Sequence, residues 1–392
     1  MSTQLSQCRS LLQSVTSRGR FTAALCASGD RLALSKRREA MESVKQAALM
    51  SMLTEVKADT GGTLDVTTRL QALLESSEAE MKALQAAHVE RARMDELMAA
   101  LCPLAFDVDI ARESSRYMPG TRLDFLRAVD SWIGGGTPSQ SGSDLPSAAA
   151  ASIDPADSRV FWIKGGPGTG KSCISAVLCE QLSADIVAVH FCRHDEPTRK
   201  SAARMVKSIA YQLACRLPAY GQELSRRLPA LQSEDASLDK LSALELWAAL
   251  IVDPLAAPSV QQALQADRQA EGGVGSAPPR RMVILIDALD ESSVSNGRSE
   301  LVDLLSSSAR KLPAWLSVLV TSRPEHYIVS KLAAYKPKEI VVESATNLAD
   351  IRLFLSHCLR KSHAMGSAAS EEQRAAAVEL MMSKAAGLFL LA

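Results

Sequence analysis

Between residues 38 and 57, in REAMESVKQAALMSMLTEVK, the apolar positions Met41, Val44, Ala48, Met52 and Val56 recur three or four apart, with charges of both signs between them. That spacing predicts an amphipathic helix, and the turn ADTGG at 58–62 ends it. A second helix is predicted beyond the turn, with Leu70, Leu73, Leu74, Met81 and Leu84 on one face. The heptad fails at His88 and Arg91, so a helical bundle or a short coiled-coil hairpin is expected over 1–115 rather than a long coiled coil. Two uses of this region weigh equally: self-association or partner binding, and a helical cap packed on the rest of the chain.

The pattern changes twice further on. Residues 134–158, GGGTPSQSGSDLPSAAAASIDPADS, are dominated by Gly, Ser, Pro and Ala and read as a flexible linker. From Val160 onward, short β-type runs alternate with helical ones. VFWIK, IVAVHF, MVILID, LSVLV and EIVVE are nearly continuous in apolar residues and rich in β-branched ones, as expected of parallel strands buried on both faces. The predicted architecture is a three-layer α/β domain over 159–392. A helical segment, 116–133, precedes it, and a disordered insert is expected at 267–281, DRQAEGGVGSAPPRR.

Composition narrows the classes. Lys plus Arg and Asp plus Glu are 44 each, so no net charge favours nucleic acid or an anionic membrane, and neither is expected as a partner. The first fifteen residues hold no apolar leader, and no run approaches a membrane span. Eight cysteines fall singly, without a CxxC pair. A cytoplasmic protein with reduced thiols is expected.

The chemistry concentrates at three strand ends. Gly165-Gly166-Pro167-Gly168-Thr169-Gly170-Lys171-Ser172 matches GxxxxGK[ST], with the strand VFWIK before it and the helical SCISAVLCEQL after it. Glycines let consecutive N–H groups turn inward toward phosphate oxygens, and the following helix adds its positive end. Lys171 is the expected contact to the β- and γ-phosphates, and Ser172 the expected Mg²⁺ ligand. Asp287 closes the apolar strand of MVILIDALDE and is the second expected metal ligand. Asp290 and Glu291 follow within a turn, and Glu291 is the first choice to orient or deprotonate the attacking water. Arg323, just past LSVLVTS, is placed to neutralise charge on the third phosphate. His190, Cys192 and His194 would share one face of a strand, but no second cluster completes a four-ligand metal site.

Together these edges resemble the NACHT group of STAND P-loop ATPases, and most of all the nephrocystin-3-like N-terminal module. Asp287-Ala288-Leu289-Asp290-Glu291 is similar to the NACHT form of the second acidic motif, with Ala288 where Gly is commoner, and Thr321–Glu325 (TSRPE) resembles the group's sensor segment. RYMPGTRLDFLRAVDSWI, HFCRHDE, LELWAALIVDPL and KAAGLFLLA resemble further parts of the module, over about residues 112–392. The resemblance implies a five-stranded sheet ordered 5-1-4-3-2, ATP or ADP with Mg²⁺ at its carboxyl edge, and Thr121 and Arg122 near base and ribose. It also implies continuation into a winged helix and repeats, and ring-like homo-oligomers. The sequence ends at Ala392, before either of those additions.

The expected function is a slow ATP-hydrolysing signal-transduction switch whose conformation is set by the bound nucleotide, with protein partners reached through the helical N-terminal region. The alternative is a nucleotide-stabilised scaffold or adaptor without significant hydrolysis. A small-molecule kinase would need an acceptor site and an arginine-rich lid, and a DNA motor would need basic surface; neither feature is legible.

Overall fold

The computed structural model describes residues 63–135, 159–232, 237–271, 280–292, 294–295, 298–335, 338–339, 344–361, 371–385 and 388–389. The helix expected at 38–57 and most of the linker, 136–158, lie outside the described residues. By internal contacts the chain divides into Met1–Arg93 and Met94–Ala392. Within the first unit, the described element is part of helix α1, Thr63–Leu101, where Met81 and Leu84 are half-buried.

The second unit is built on a parallel sheet. Strands β1 (Val160–Lys164), β2 (Ile186–Phe191), β3 (Met282–Asp287) and β4 (Leu316–Ser322) run in the order β2-β3-β4-β1. A two-residue strand, β5 (Lys338–Glu339), pairs with the other edge of β1. In register, Phe161 faces Leu319, Ile286 faces Val320 and Phe191 faces Asp287, all in parallel ladders. The expectation of a parallel α/β domain is met.

The near-continuous apolar runs divide between two faces because side chains alternate along a strand. Phe161, Ile163, Val283, Leu285 and Leu319 join one buried cluster with helices α3 (Leu123–Ile133) and α4 (Lys171–Gln181). In α3 the residues Phe125, Leu126, Val129, Trp132 and Ile133 are buried, the spacing of one helical stripe, and the Trp132 ring lies 5.3 Å from that of Phe161. Trp162, Ile284, Ile286, Val318 and Val320 point the other way. They pack with α6 (Ala202–Arg216), α8 (Ala243–Leu255, with a π-helical turn over Ala248–Val252) and α10 (Glu300–Ser308). Two more helices, α2 (Asp107–Ser114) and α7 (Pro218–Leu231), bear on the site and on the π-turn respectively. Along the chain, α5 is the short turn Pro197–Lys200 and α9 is Pro258–Glu271.

Of the insert expected at 267–281, residues 267–271 are instead the end of α9. Ala, Gln, Arg and Glu are good helix formers, and the Gly/Pro-rich part starts only at Gly272. At the far end Arg280 donates to Asp130 at 2.7 Å and pairs with Asp185 at 2.9 Å, tying the start of β3 to α3 and to the approach to β2. Residues 272–279 lie outside the described residues. Among the described residues no single helix is long and apolar enough to cross a membrane. The bent pair Ala243–Leu255 and Pro258–Ala266 passes on composition, but its Leu246, Trp247, Leu250, Ile251 and Val260 are buried in the core.

Candidate functional site

The glycine-rich loop leaves β1 at Gly165, whose N–H donates to the Ser322 carbonyl at 3.1 Å and so ties the loop to the end of β4. Gly168 and Gly170 sit at φ +71° and +87°, the left-handed region where a side chain is strained. Helix α4 then starts at Lys171, with no side chain capping its first turn. Thr169 Oγ1 donates to the Gly166 carbonyl at 2.9 Å, which closes the turn around Pro167. The Lys171 ammonium is folded back over the loop, donating to the carbonyls of Gly165 at 2.8 Å and Gly166 at 2.7 Å. Burial lowers its pKa, against the pull of the nearby Asp290 and Asp287 carboxylates.

Asp287 ends β3 and is only 2% exposed. Its Oδ1 accepts hydrogen bonds from Ser175 Oγ and from Thr321 Oγ1, both at 2.6 Å, and the Ser172 hydroxyl acts on the same carboxylate. Burial pushes the Asp287 pKa up, while these three hydroxyls and Lys171 oppose the shift. Ser172 and Asp287, the two expected metal ligands, are therefore adjacent. Sequence reasoning missed Ser175 and Thr321. The signal for Ser175 is its position three residues after Ser172, on the same face of α4; Thr321 opens the TSRPE segment, two residues before Arg323.

After Asp287 the chain reverses sharply. Ala288 adopts φ +53°, ψ +50°, and its N–H donates to Thr321 Oγ1 at 3.0 Å. A left-handed residue here explains why glycine suits this position, and alanine is the smallest side chain to bear the strain. The short 3₁₀ turn Leu289–Glu291 follows, pinned by the buried Leu289. It brings Asp290 and Glu291 to Arg323. The Asp290 side chain is 3% exposed, accepts from the Arg323 backbone N–H at 2.9 Å and forms an ion pair with its Nε at 3.0 Å. Glu291 Oε1 lies 3.7 Å from Arg323 Nη2. Glu291 Oε2 faces the backbone N–H and Nδ1 of His194, at 3.3 and 3.2 Å. Asp290 is thus enclosed and paired with the arginine, while Glu291 is the more open acid.

Arg122 and Thr121 part company. Arg122, at φ +56°, sends Nη2 to the Thr169 carbonyl at 2.7 Å, so it supports the glycine-rich loop directly. Its backbone N–H donates to Asp350 at 3.0 Å, and its guanidinium lies 4.6 Å from the Phe389 ring centroid. Burial lowers its pKa against the attraction of Asp350. Its Nε is buried without a hydrogen-bond partner among the described residues. Thr121 is buried too, but its hydroxyl turns to the Met118 carbonyl at 2.8 Å and does not face the loop. His190 is also buried, its Nε2 2.8 Å from the Arg199 carbonyl, and burial lowers its pKa to about 4.

The class so defined is a parallel α/β domain with a glycine-rich turn between β1 and α4 and an acidic turn after β3. Residues 147–323 match the model of the family described as Nephrocystin 3, N-terminal. The match spans β1 through Arg323, less than half of the chain. No curated protein and no solved structure matches the chain.

Proposed function

We propose that this chain is an ATP-binding, slowly ATP-hydrolysing switch of the NACHT class, acting in the cytoplasm. The observation that carries the reading is the buried Asp287 carboxylate, held by Ser175 of the helix that follows the glycine-rich loop and acted on by Ser172, directly after the loop lysine. A carboxylate and a serine hydroxyl meeting at a phosphate loop suit Mg²⁺, a hard cation that takes oxygen ligands. In this reading Ser172 and Asp287 hold Mg²⁺, which would neutralise charge on the phosphates. Backbone N–H groups of Gly168–Gly170 and the start of α4 receive the phosphates, and Lys171 exchanges its two loop carbonyls for phosphate oxygens. Glu291 receives the proton of the attacking water, and Arg323 faces the third phosphate. The pairing of Lys338–Glu339 with β1 supports a complete sheet ordered 5-1-4-3-2.

The scaffold reading has one specific observation in its favour. Lys171, Arg323 and Glu291 all have partners within the chain, so the site is held together without turnover. Single-turnover cleavage of Mg-ATP with bound nucleotide quantified separates the two. Slow cleavage by the wild type, binding without cleavage by Glu291→Gln and lost binding by Lys171→Ala support the switch. Retained nucleotide that the wild type never cleaves refutes it in favour of the scaffold.

A further inference from the structure

From Ala188 on, β2 and β3 stay in register up to the site, and the Cys192 N–H donates to the Asp287 carbonyl at 3.0 Å. Beyond Cys192 the chain turns at His194 and Asp195 before the helical turn Pro197–Lys200. At this tip His194 aims two nitrogens at one oxygen of Glu291, the backbone N–H at 3.3 Å and Nδ1 at 3.2 Å. An ionised carboxylate only accepts, so Nδ1 is the donor and carries the proton. The imidazole is 78% exposed, so core packing does not account for where it points.

The flanks of this loop are anchored elsewhere. Asp109, buried in α2, forms an ion pair with Arg199, whose Nη1 lies 2.8 Å from Oδ2 without hydrogen-bond alignment; Arg193 approaches within 3.9 Å. Arg193 and Arg199 both pair with Glu196, at 2.9 and 2.7 Å. The Arg199 guanidinium also lies 5.3 Å from the centroid of the Phe106 ring, at the start of α2. The position of the His194 tip is therefore tied to α2.

We propose that His194 is a positioning residue that restrains Glu291, on a loop whose anchorage to α2 couples release of the glutamate to the segment preceding the nucleotide domain. The proposal rests on the reading of Glu291 as the acceptor of the water proton. Two donors on Oε2 occupy the lone pairs of that oxygen, and Oε1 faces Arg323 Nη2 at 3.7 Å, so the carboxylate is held by its partners rather than turned to a water proton. The restraint acts on the chemical step, because the contact is with Glu291 and not with the loop that receives the phosphates.

The test uses the full chain with Mg-ATP. His194→Ala is expected to raise kcat by about tenfold, the size of one charge-assisted hydrogen bond, with KM unchanged. His194→Gln, which can offer an amide donor to the same oxygen, returns kcat toward wild type. Asp109→Asn, which loosens the anchor without touching Glu291, moves kcat in the same direction as His194→Ala. An unchanged or lowered kcat in His194→Ala overturns the restraint. Equal cleavage by wild type and Glu291→Gln overturns the assignment of Glu291 and the restraint with it. The contact itself is read without turnover, from the ¹⁵N shifts of the His194 ring in nucleotide-free protein. The Nδ1–H tautomer is expected in the wild type and should give way to Nε2–H in Glu291→Ala. The same tautomer populations in both proteins refute the proposal whether or not ATP is cleaved.

Discussion

Replacing Asp287 by Ala and by Asn separates two roles that one carboxylate combines. As an acceptor it satisfies two hydroxyls, those of Ser175 and Thr321, in a place that is 2% exposed. Alanine removes both bonds. At about 1 kcal/mol per bond, Asp287→Ala should lose about 2 kcal/mol of stability, roughly thirtyfold in the folding equilibrium. Asparagine keeps the volume and an acceptor oxygen, and a hydroxyl facing its NH₂ rotates to accept. Asp287→Asn should therefore stay within about 1 kcal/mol of wild type. The charge itself works against folding. Burial raises the folded pKa of Asp287 above the ordinary carboxylate value of 3.8, so the native state holds this proton more tightly than the unfolded chain does. That stabilising contribution is present at low pH and is lost as pH rises from 3.8 through the raised value. Asp287→Asn lacks this loss, so its stability relative to wild type should improve across that window. The assay is urea denaturation without nucleotide from pH 4 to 8, comparing midpoints at constant slope. Mg²⁺-dependent binding of a fluorescent ATP analogue should fail in both variants. If Asp287→Asn proves as unstable as Asp287→Ala, the negative charge rather than hydroxyl satisfaction holds this corner together, and the reasoning fails.

Other outcomes follow from the same geometry. A Cβ on Gly170 would meet nothing within 4 Å, so Gly170→Ala suffers only the strain of φ +87°, about 1–2 kcal/mol by thermal or urea denaturation; a larger loss would mean that the loop packs more tightly than described. The Tyr220 hydroxyl donates at 2.6 Å to the Leu250 carbonyl inside the π-turn, and Tyr220→Phe, which leaves that buried carbonyl without this donor, should cost about 1–3 kcal/mol in the same measurement. His190 stays neutral down to about pH 4 in the folded chain but protonates near 6.5 when unfolded. Its contribution is complete above pH 6.5 and is lost as pH falls toward 4, roughly 3 kcal/mol in all, so an acid titration of stability should flatten in that range in His190→Gln.

Much of the site is legible in the chain because its parts are local. The glycines at 165, 168 and 170, Lys171 and the helix after it are neighbours in sequence, and the spacing of the motif is the geometry of the turn. Asp287 is legible as a strand end because an uninterrupted apolar run stops there, and a carboxylate at that edge has to leave the sheet. The parallel α/β class was readable for a related reason: strands buried on both faces need apolar residues at every position, and helices must lie between them. The insert at 267–281 begins later than its composition suggests, because the helix-forming residues of its first third continue α9 to Glu271.

What only the tertiary structure decided is which distant groups meet. Ser175 and Thr321 lie 112 and 34 residues from Asp287 along the chain and bond to the same oxygen, because β4 and α4 flank the end of β3. Asp290 is a candidate acid by its place after Asp287, but its enclosure by Arg323 depends on β4 lying beside β3. His194 looked like part of a distracting His/Cys run, and its contact with Glu291 exists only because β2 pairs with β3. Local sequence sets conformation through backbone preference and periodic burial, and those forces act within a turn or a strand. The partnerships of charged and hydroxyl groups follow from strand order, and strand order comes from packing the two faces of the whole sheet at once.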